Sequence, residues 1–140
     1  MITYVDTSSF IKVLIDEPGS DAAAALWDSS DTVAQVRIGY VEARAALAAA
    51  HRGSRLTGRQ LSSAKLALDR LWAQLAVVEV TVGLVLAAAE LAETEGLRGY
   101  DAVHLAAAIE IGADVVASAD GELVSAADRV GLHTANPAEG

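Results

Sequence analysis

Cysteine is absent from the 140 residues, so neither a disulfide framework nor a thiolate metal site such as structural zinc is available. Any metal must be held by oxygen or imidazole. Aromatic residues are also scarce, 4% of the chain against 53% apolar residues in all, which leaves Ala, Leu and Val to build the interior. Small side chains imply close packing of helix against sheet. No long apolar run exists: the longest, Val82 to Ala89, contains Gly83 and falls far below the ~20 residues of a membrane span. Met1 to Asp6 carries no basic leader region, so a soluble, cytoplasmic protein without a membrane partner is expected. Positive charge is in short supply too, with 10 Lys and Arg against 19 Asp and Glu and a net charge of −9. The basic residues are scattered, Arg52, Arg55 and Arg59 coming nearest to a cluster. That balance opposes a nucleic-acid partner unless several acids converge on a bound cation, which would reverse the local field.

The length suits a single domain over residues 1–140, because a chain of this size buries roughly two-thirds of its unfolded surface. Ile2 to Val5 reads as a buried strand, followed by a helix start at Asp6-Thr7-Ser8-Ser9 and a breaker at Asp16-Glu17-Pro18-Gly19. Ser20 opens a second helix to about Trp27, and Thr32 to Val36 is a second strand. A helix follows from Ile38 to Arg52. Thr57 caps the next, an amphipathic segment with Leu61, Leu68, Leu71, Trp72 and Leu75 on one stripe. That stripe serves either intramolecular packing or a face for a partner. Val77 to Thr81 reads as a third strand, Val82 to Thr94 as a helix, and Leu97 to Tyr100 as a loop into a helix from Asp101 to Ile111. Asp114 to Ser118 is a fourth strand, a last helix runs to about Val130, His133 to Ala135 is a short final strand, and residues 136–140 form a frayed tail. Strands alternating with helices predict an α/β fold, a three-layer sandwich around a mainly parallel sheet of four or five strands.

Ligands of open parallel sheets sit beyond the carboxyl ends of the strands, which draws attention to Asp6 and Asp120. Both also suit an ordinary helix-capping role. Asp101 has a structural reading of its own, as N-cap of its helix with Tyr100 and Leu105 forming a hydrophobic staple. Glu42 is harder to explain away. On the helix from Ile38 it falls on the stripe of Ile38, Val41, Ala45 and Ala49, taken as core-facing, with Tyr40, Arg44 and His51 on the exposed side. A carboxylate on such a stripe must lose its charge, find a cation or bind a metal. If the four acids meet, their repulsion calls for a cation, and oxygen-only ligation selects Mg2+ or Mn2+. His104, three residues after Asp101, reads either as a metal ligand or as a packed histidine bonded to backbone. His51 and His133 look peripheral, and Arg44 and Arg98 read either as phosphate contacts or as solvated arginines.

Four short segments in order carry a resemblance: Asp6-Thr7-Ser8, Val41-Glu42-Ala43-Arg44, Tyr100-Asp101-Ala102 and Ser118-Ala119-Asp120. Together they resemble the PIN-domain family, specifically the VapC-type toxins of bacterial toxin–antitoxin pairs, over nearly the whole chain. The resemblance implies a metal-dependent endoribonuclease that cleaves RNA, a homodimer, and a cognate VapB-type antitoxin that fills the acidic pocket. It assigns Asp6, Glu42, Asp101 and Asp120 to the catalytic and metal-binding quartet and Ser8 and Ser118 to supporting hydroxyls. Ser118 and Gly121 depart from the threonine and charged residue common in relatives, leaving open whether Asp120 is a direct ligand. The non-enzymatic alternative is a catalytically silent PIN-like module that binds protein or RNA. A haloacid-dehalogenase-like phosphatase would need an Asp where Ser8 stands, and a receiver-like domain needs a phosphoacceptor Asp that does not follow Val77 to Thr81.

Overall fold

The computed structural model describes residues 1–139. Its central strand, β1 (Ile2–Val5), is buried from Thr3 onward, as expected of a short apolar run covered on both faces. The remaining elements follow as α1 (Thr7–Ile11), α2 (Ser20–Ser29), β2 (Thr32–Val36), α3 (Gly39–Arg52), α4 (Gly58–Trp72), β3 (Ala76–Val78), α5 (Val82–Glu95), α6 (Gly99–Glu110), β4 (Val115–Ala117), α7 (Gly121–Arg129) and β5 (His133–Ala135). Five strands form one sheet in the order β3-β2-β1-β4-β5, and every pairing is parallel.

Alternation along the strands divides the interior into two cores. Tyr4, Ala34, Val36 and Val116 face α5, α6 and α7. Val5, Val33 and Ala117 face α1, α3 and α4, with Leu26 and Trp27 of α2 packed on the same side. The result is a three-layer sandwich. From β1 the chain winds outward to β2 and β3, then crosses to β4 and β5, so the order reverses between β1 and β4. A crevice opens at such a switch point beyond the carboxyl ends of the strands.

Several local expectations change. α1 ends at Ile11 and the chain turns through Ile15, before the Pro18-Gly19 breaker is reached. The buried Lys12 amine secures this turn by donating to Glu17 at 3.1 Å and to the Pro18 carbonyl at 2.8 Å. Thr81, expected in the third strand, instead caps α5 by accepting from the Leu84 N–H. Thr57 caps α4 as expected, in a reciprocal box with Gln60. The stripe of α4 is spent inside the molecule: Leu68 is buried, and Leu61, Leu71, Trp72 and Leu75 pack on the same core. Within the tail Pro137 is buried, and its carbonyl would lie 2.7 Å from a Cβ at Gly19, a residue with φ +92°. Gly140 lies outside the described residues. Among the described residues no helix is long and apolar enough to cross a membrane.

Candidate active site

Asp6 follows β1 directly and caps α1, its Oδ1 accepting from the Ser9 N–H at 3.1 Å. The capping role leaves room for more. Ser8 donates to the same oxygen at 2.6 Å and Ser118, at the end of β4, donates to Oδ2 at 2.9 Å. Each serine also accepts from the loop after β4: Ser8 Oγ from the Ala119 N–H across the crevice and Ser118 Oγ from the Asp120 N–H within its own loop, both at 2.9 Å. The two hydroxyls expected to support the acids therefore lace the ends of β1 and β4 together around Asp6. Burial pushes the Asp6 carboxyl above the ordinary aspartate range, against the pull of these hydrogen bonds.

Asp120 divides its oxygens. Oδ1 caps α7 through the N–H groups of Glu122 and Leu123, at 3.0 and 3.3 Å, while Oδ2 accepts from Arg98 Nη2 at 3.2 Å. Arg98 Nε also donates to Asp101 Oδ2 at 3.3 Å, so one guanidinium bridges two of the acids.

Asp101 is not the N-cap of its helix. α6 begins two residues earlier, with Arg98 in extended geometry as its N-cap and Asp101 inside the first turn. The expected staple is absent because Tyr100 points outward, 65% exposed. Released from capping, Asp101 faces the crevice. Burial raises its pKa first and the neighbouring charge of Asp120 raises it further, with Arg98 acting in the opposite sense.

The stripe assigned to Glu42 also needs correction. The buried side of α3 is Gly39, Ala43, Leu47 and Ala50, while Val41 is 67% exposed and Ala45 and Ala49 face solvent. Glu42 sits at the border, its side chain 27% exposed, and is held from two sides. Thr7, the residue after Asp6, donates to Oε1 at 2.9 Å, and His104 Nε2 approaches the same oxygen at 2.7 Å. Burial pushes Glu42 up, but the bonds from His104 and Thr7 outweigh it and leave the carboxyl below its usual range. His104 is buried as expected, but its partners are side chains, Glu42 and Tyr4, and not backbone. Thr7, Tyr4 and Arg98 are the participants that sequence reasoning missed or left as solvated. Only Thr7 had a local signal, as a hydroxyl beside a strand-end acid. Arg44 stays with its own helix, bonded to the Tyr40 hydroxyl at 3.1 Å and stacked over its ring.

The four acids thus meet at the sheet's carboxyl edge, three of them joined by Ser118 and Arg98 and the fourth tied to the Asp6 loop through Thr7. Glu42, Arg98 and Asp101 open into one cleft of about 690 Å³, walled on the other side by Val85, Ala88, Ala89, Ala92 and Val103. Among the described residues, no three His, Asp or Glu side chains converge on a single ligand position as they stand, and Arg98 bridges Asp101 and Asp120. The donor chemistry nonetheless fits a hard divalent cation: carboxylates only, with Asp6 and Asp101 destabilised as anions and an arginine supplying the counter-charge.

Residues 3–129 match the family model of the PIN domain. The chain is 42% identical over 136 residues to ribonuclease VapC49 of Mycobacterium tuberculosis, covering 96% of this chain and 94% of that one. Among solved structures it resembles Mycobacterium tuberculosis VapC20, described as a sarcin-ricin loop cleaving toxin, with a TM-score of 0.68, 23% identity and coverage of 89% and 94% of the two chains. It also resembles VapBC2 of Rickettsia felis, bound to a DNA fragment from their promoter, with a TM-score of 0.65, 19% identity and coverage of 97% and 98%. With its acids at the switch point, its parallel sheet and this similarity over almost its full length, the chain belongs to the PIN-domain family, among the VapC ribonucleases.

Proposed function

We propose that this VapC ribonuclease is an endoribonuclease dependent on Mg2+ or Mn2+, in which Asp6 and Asp101 hold the cation and Glu42 and Asp120 assist directly or through water. One observation carries the reading: Asp101 of α6 and Asp120 after β4 share a single arginine, and Ser118 ties the buried Asp6 after β1 to the same loop, a cluster that a divalent cation would complete. Bound there, the ion supplies a lowered pKa for the attacking water and positive charge against the charge developing on the phosphoryl oxygens. The chain's own groups do the rest. Ser8 and Ser118 orient Asp6, Thr7 and His104 orient Glu42, and Arg98, when released from the acids, is placed to meet an RNA phosphate.

Two partners belong to the proposal. A cognate VapB-type antitoxin would occupy the cleft with a basic side chain, since the acid pair already accepts a guanidinium from within the chain. A second copy would pack on the outer face of α5, where Val82 and Leu86 are exposed together, as apolar patches on interacting surfaces are. The activity is tested by RNA cleavage with and without EDTA, using wild type, Asp6→Ala and Asp101→Ala. Loss of cleavage in both variants with the fold retained supports the assignment. Full activity in both ends it, and wild type that binds Mn2+ without cutting RNA is a silent module.

A further inference from the structure

His104 lies under the acidic cleft with its two ring nitrogens both engaged. Nδ1 is 2.7 Å from the Tyr4 hydroxyl and Nε2 is 2.7 Å from Glu42 Oε1. Tyr4 and His104 are both buried, so every polar hydrogen there must find a protein acceptor. The Tyr4 oxygen already accepts from the Val36 N–H at 3.2 Å. Its own proton therefore goes to Nδ1, the one acceptor it reaches among the described residues, which makes Nδ1 the unprotonated nitrogen. Nε2 then carries the hydrogen, as it must to face a carboxylate that can only accept. The chain of bonds runs one way, from the backbone of β2 through β1 and α6 to Glu42 on α3.

That direction decides what Glu42 can offer. Oε1 receives both Nε2–H of His104 and the hydroxyl of Thr7, while among the described residues no hydrogen bond reaches Oε2. Glu42 lines the cleft that also holds Asp101. We propose that His104 is a positioning residue: locked by Tyr4 as the Nε2–H tautomer, it pins Oε1 of Glu42 and leaves Oε2 as the one oxygen that Glu42 presents to a divalent cation or its water. This rests on the metal-dependent nuclease reading. It assigns His104 no contact with cation or RNA.

The test combines a spectroscopic arm and a double-mutant cycle on the full chain. In 15N-histidine NMR at neutral pH, His104 shows a protonated Nε2 and an unprotonated Nδ1; the opposite tautomer or a doubly protonated ring overturns the proposal. The cycle pairs His104→Phe with Glu42→Ala and reads both the Mn2+ dissociation constant and the kcat and KM of RNA cleavage. His104→Phe alone weakens Mn2+ binding or lowers kcat by about 10–100-fold, the range for residues that orient a ligand, with KM for RNA little changed. His104→Gln, whose amide donates from nearly the same place, restores most of the loss. In the Glu42→Ala background His104→Phe has no further effect, whereas an equal loss in both backgrounds makes the ring mere core packing and overturns the proposal. Should His104→Phe not fold, the tautomer and His104→Gln decide. Wild type that binds Mn2+ but cuts no RNA removes the nuclease reading, and the NMR and Mn2+ arms still judge His104.

Discussion

Arg98 Nη2 lies 3.2 Å from Asp120 Oδ2, an ion pair that spans the crevice from the N-cap of α6 to the N-cap of α7. The same side chain reaches Asp101, so the guanidinium stands where a metal would draw those acids together. Its side chain is 76% exposed, which limits what the pairing contributes to stability. Arg98→Ala should change Tm little and, by removing a cation that competes for the two acids, tighten Mn2+ binding several-fold at most. Titration calorimetry measures this. Weaker Mn2+ binding in the variant would mean that Arg98 helps to assemble the site.

The raised pKa values of Asp6 and Asp101 set a pH dependence. With folded values above the unfolded ~3.9, their contribution to stability is fully present below that value and is lost as pH rises through the folded pKa. A divalent cation held as proposed would offset this loss by pairing with the ionised forms. The rise in Tm on adding Mg2+ should therefore be largest at neutral pH and disappear as pH falls towards ~4. Glu42, with its lowered pKa, acts with the opposite sign, its stability being lost as pH falls through the folded value. Melting curves with and without Mg2+ across this range check the trend, and a pH-independent shift would contradict it.

Ser118 is wholly buried and serves two partners, donating to Asp6 and accepting from the Asp120 N–H. Ser118→Ala removes a bond to a charged group, which costs about 1.5–3 kcal/mol. It should also raise the Asp6 pKa further, so the loss in denaturation experiments should be greater at neutral than at acidic pH. A variant as stable as wild type at neutral pH would show that water replaces the hydroxyl.

Gly39 leaves room for a neighbour. A Cβ there would stand 1.6 Å from Oε1 of Gln35, a buried side chain whose Nε2 is tied to the Val5 carbonyl at 2.8 Å. Gln35 is wholly buried and its amide is held by Val5, so Gly39→Ala should destabilise by about 1–3 kcal/mol, as overpacking does. Urea unfolding measures the loss. Pairing it with Gln35→Ala should recover part of it, and no recovery would locate the strain elsewhere.

The outer face of α5 gives a prediction about assembly. Val82 and Leu86 are 78% and 62% exposed, an arrangement that suits contact with a second copy. Leu86→Lys should shift the protein from dimer to monomer in light scattering while leaving its fold unchanged. A wild type that is already monomeric at high concentration would rule this face out.

Much of the architecture was readable one segment at a time. Ile2 to Val5 announces a buried strand by its short apolar run, and Asp6 after it marks the strand end where ligands gather. Thr57 with Gln60 spells out a helix start. The errors have common physical causes. On α3 the buried side is made of Gly39, Ala43, Leu47 and Ala50, and in a chain this rich in alanine, hydrophobicity no longer separates inside from outside. Val41 drew the stripe to the wrong side. On α6, Gly99 looked like loop but entered the helix, so Asp101 lost the capping role that had seemed to account for it.

From the sequence alone followed the three-layer α/β architecture, the parallel sheet and the position of Asp6 and Asp120 just after strands, because strand–helix alternation and strand ends are local properties. Tertiary structure alone decided how those acids are held. Tyr4 meets His104 across 100 positions, His104 meets Glu42 across 62, and Ser118 meets Asp6 across 112. Hydrogen bonds act over about 3 Å in space whatever the separation along the chain, so only the closed fold could show which oxygens are occupied and which remain free.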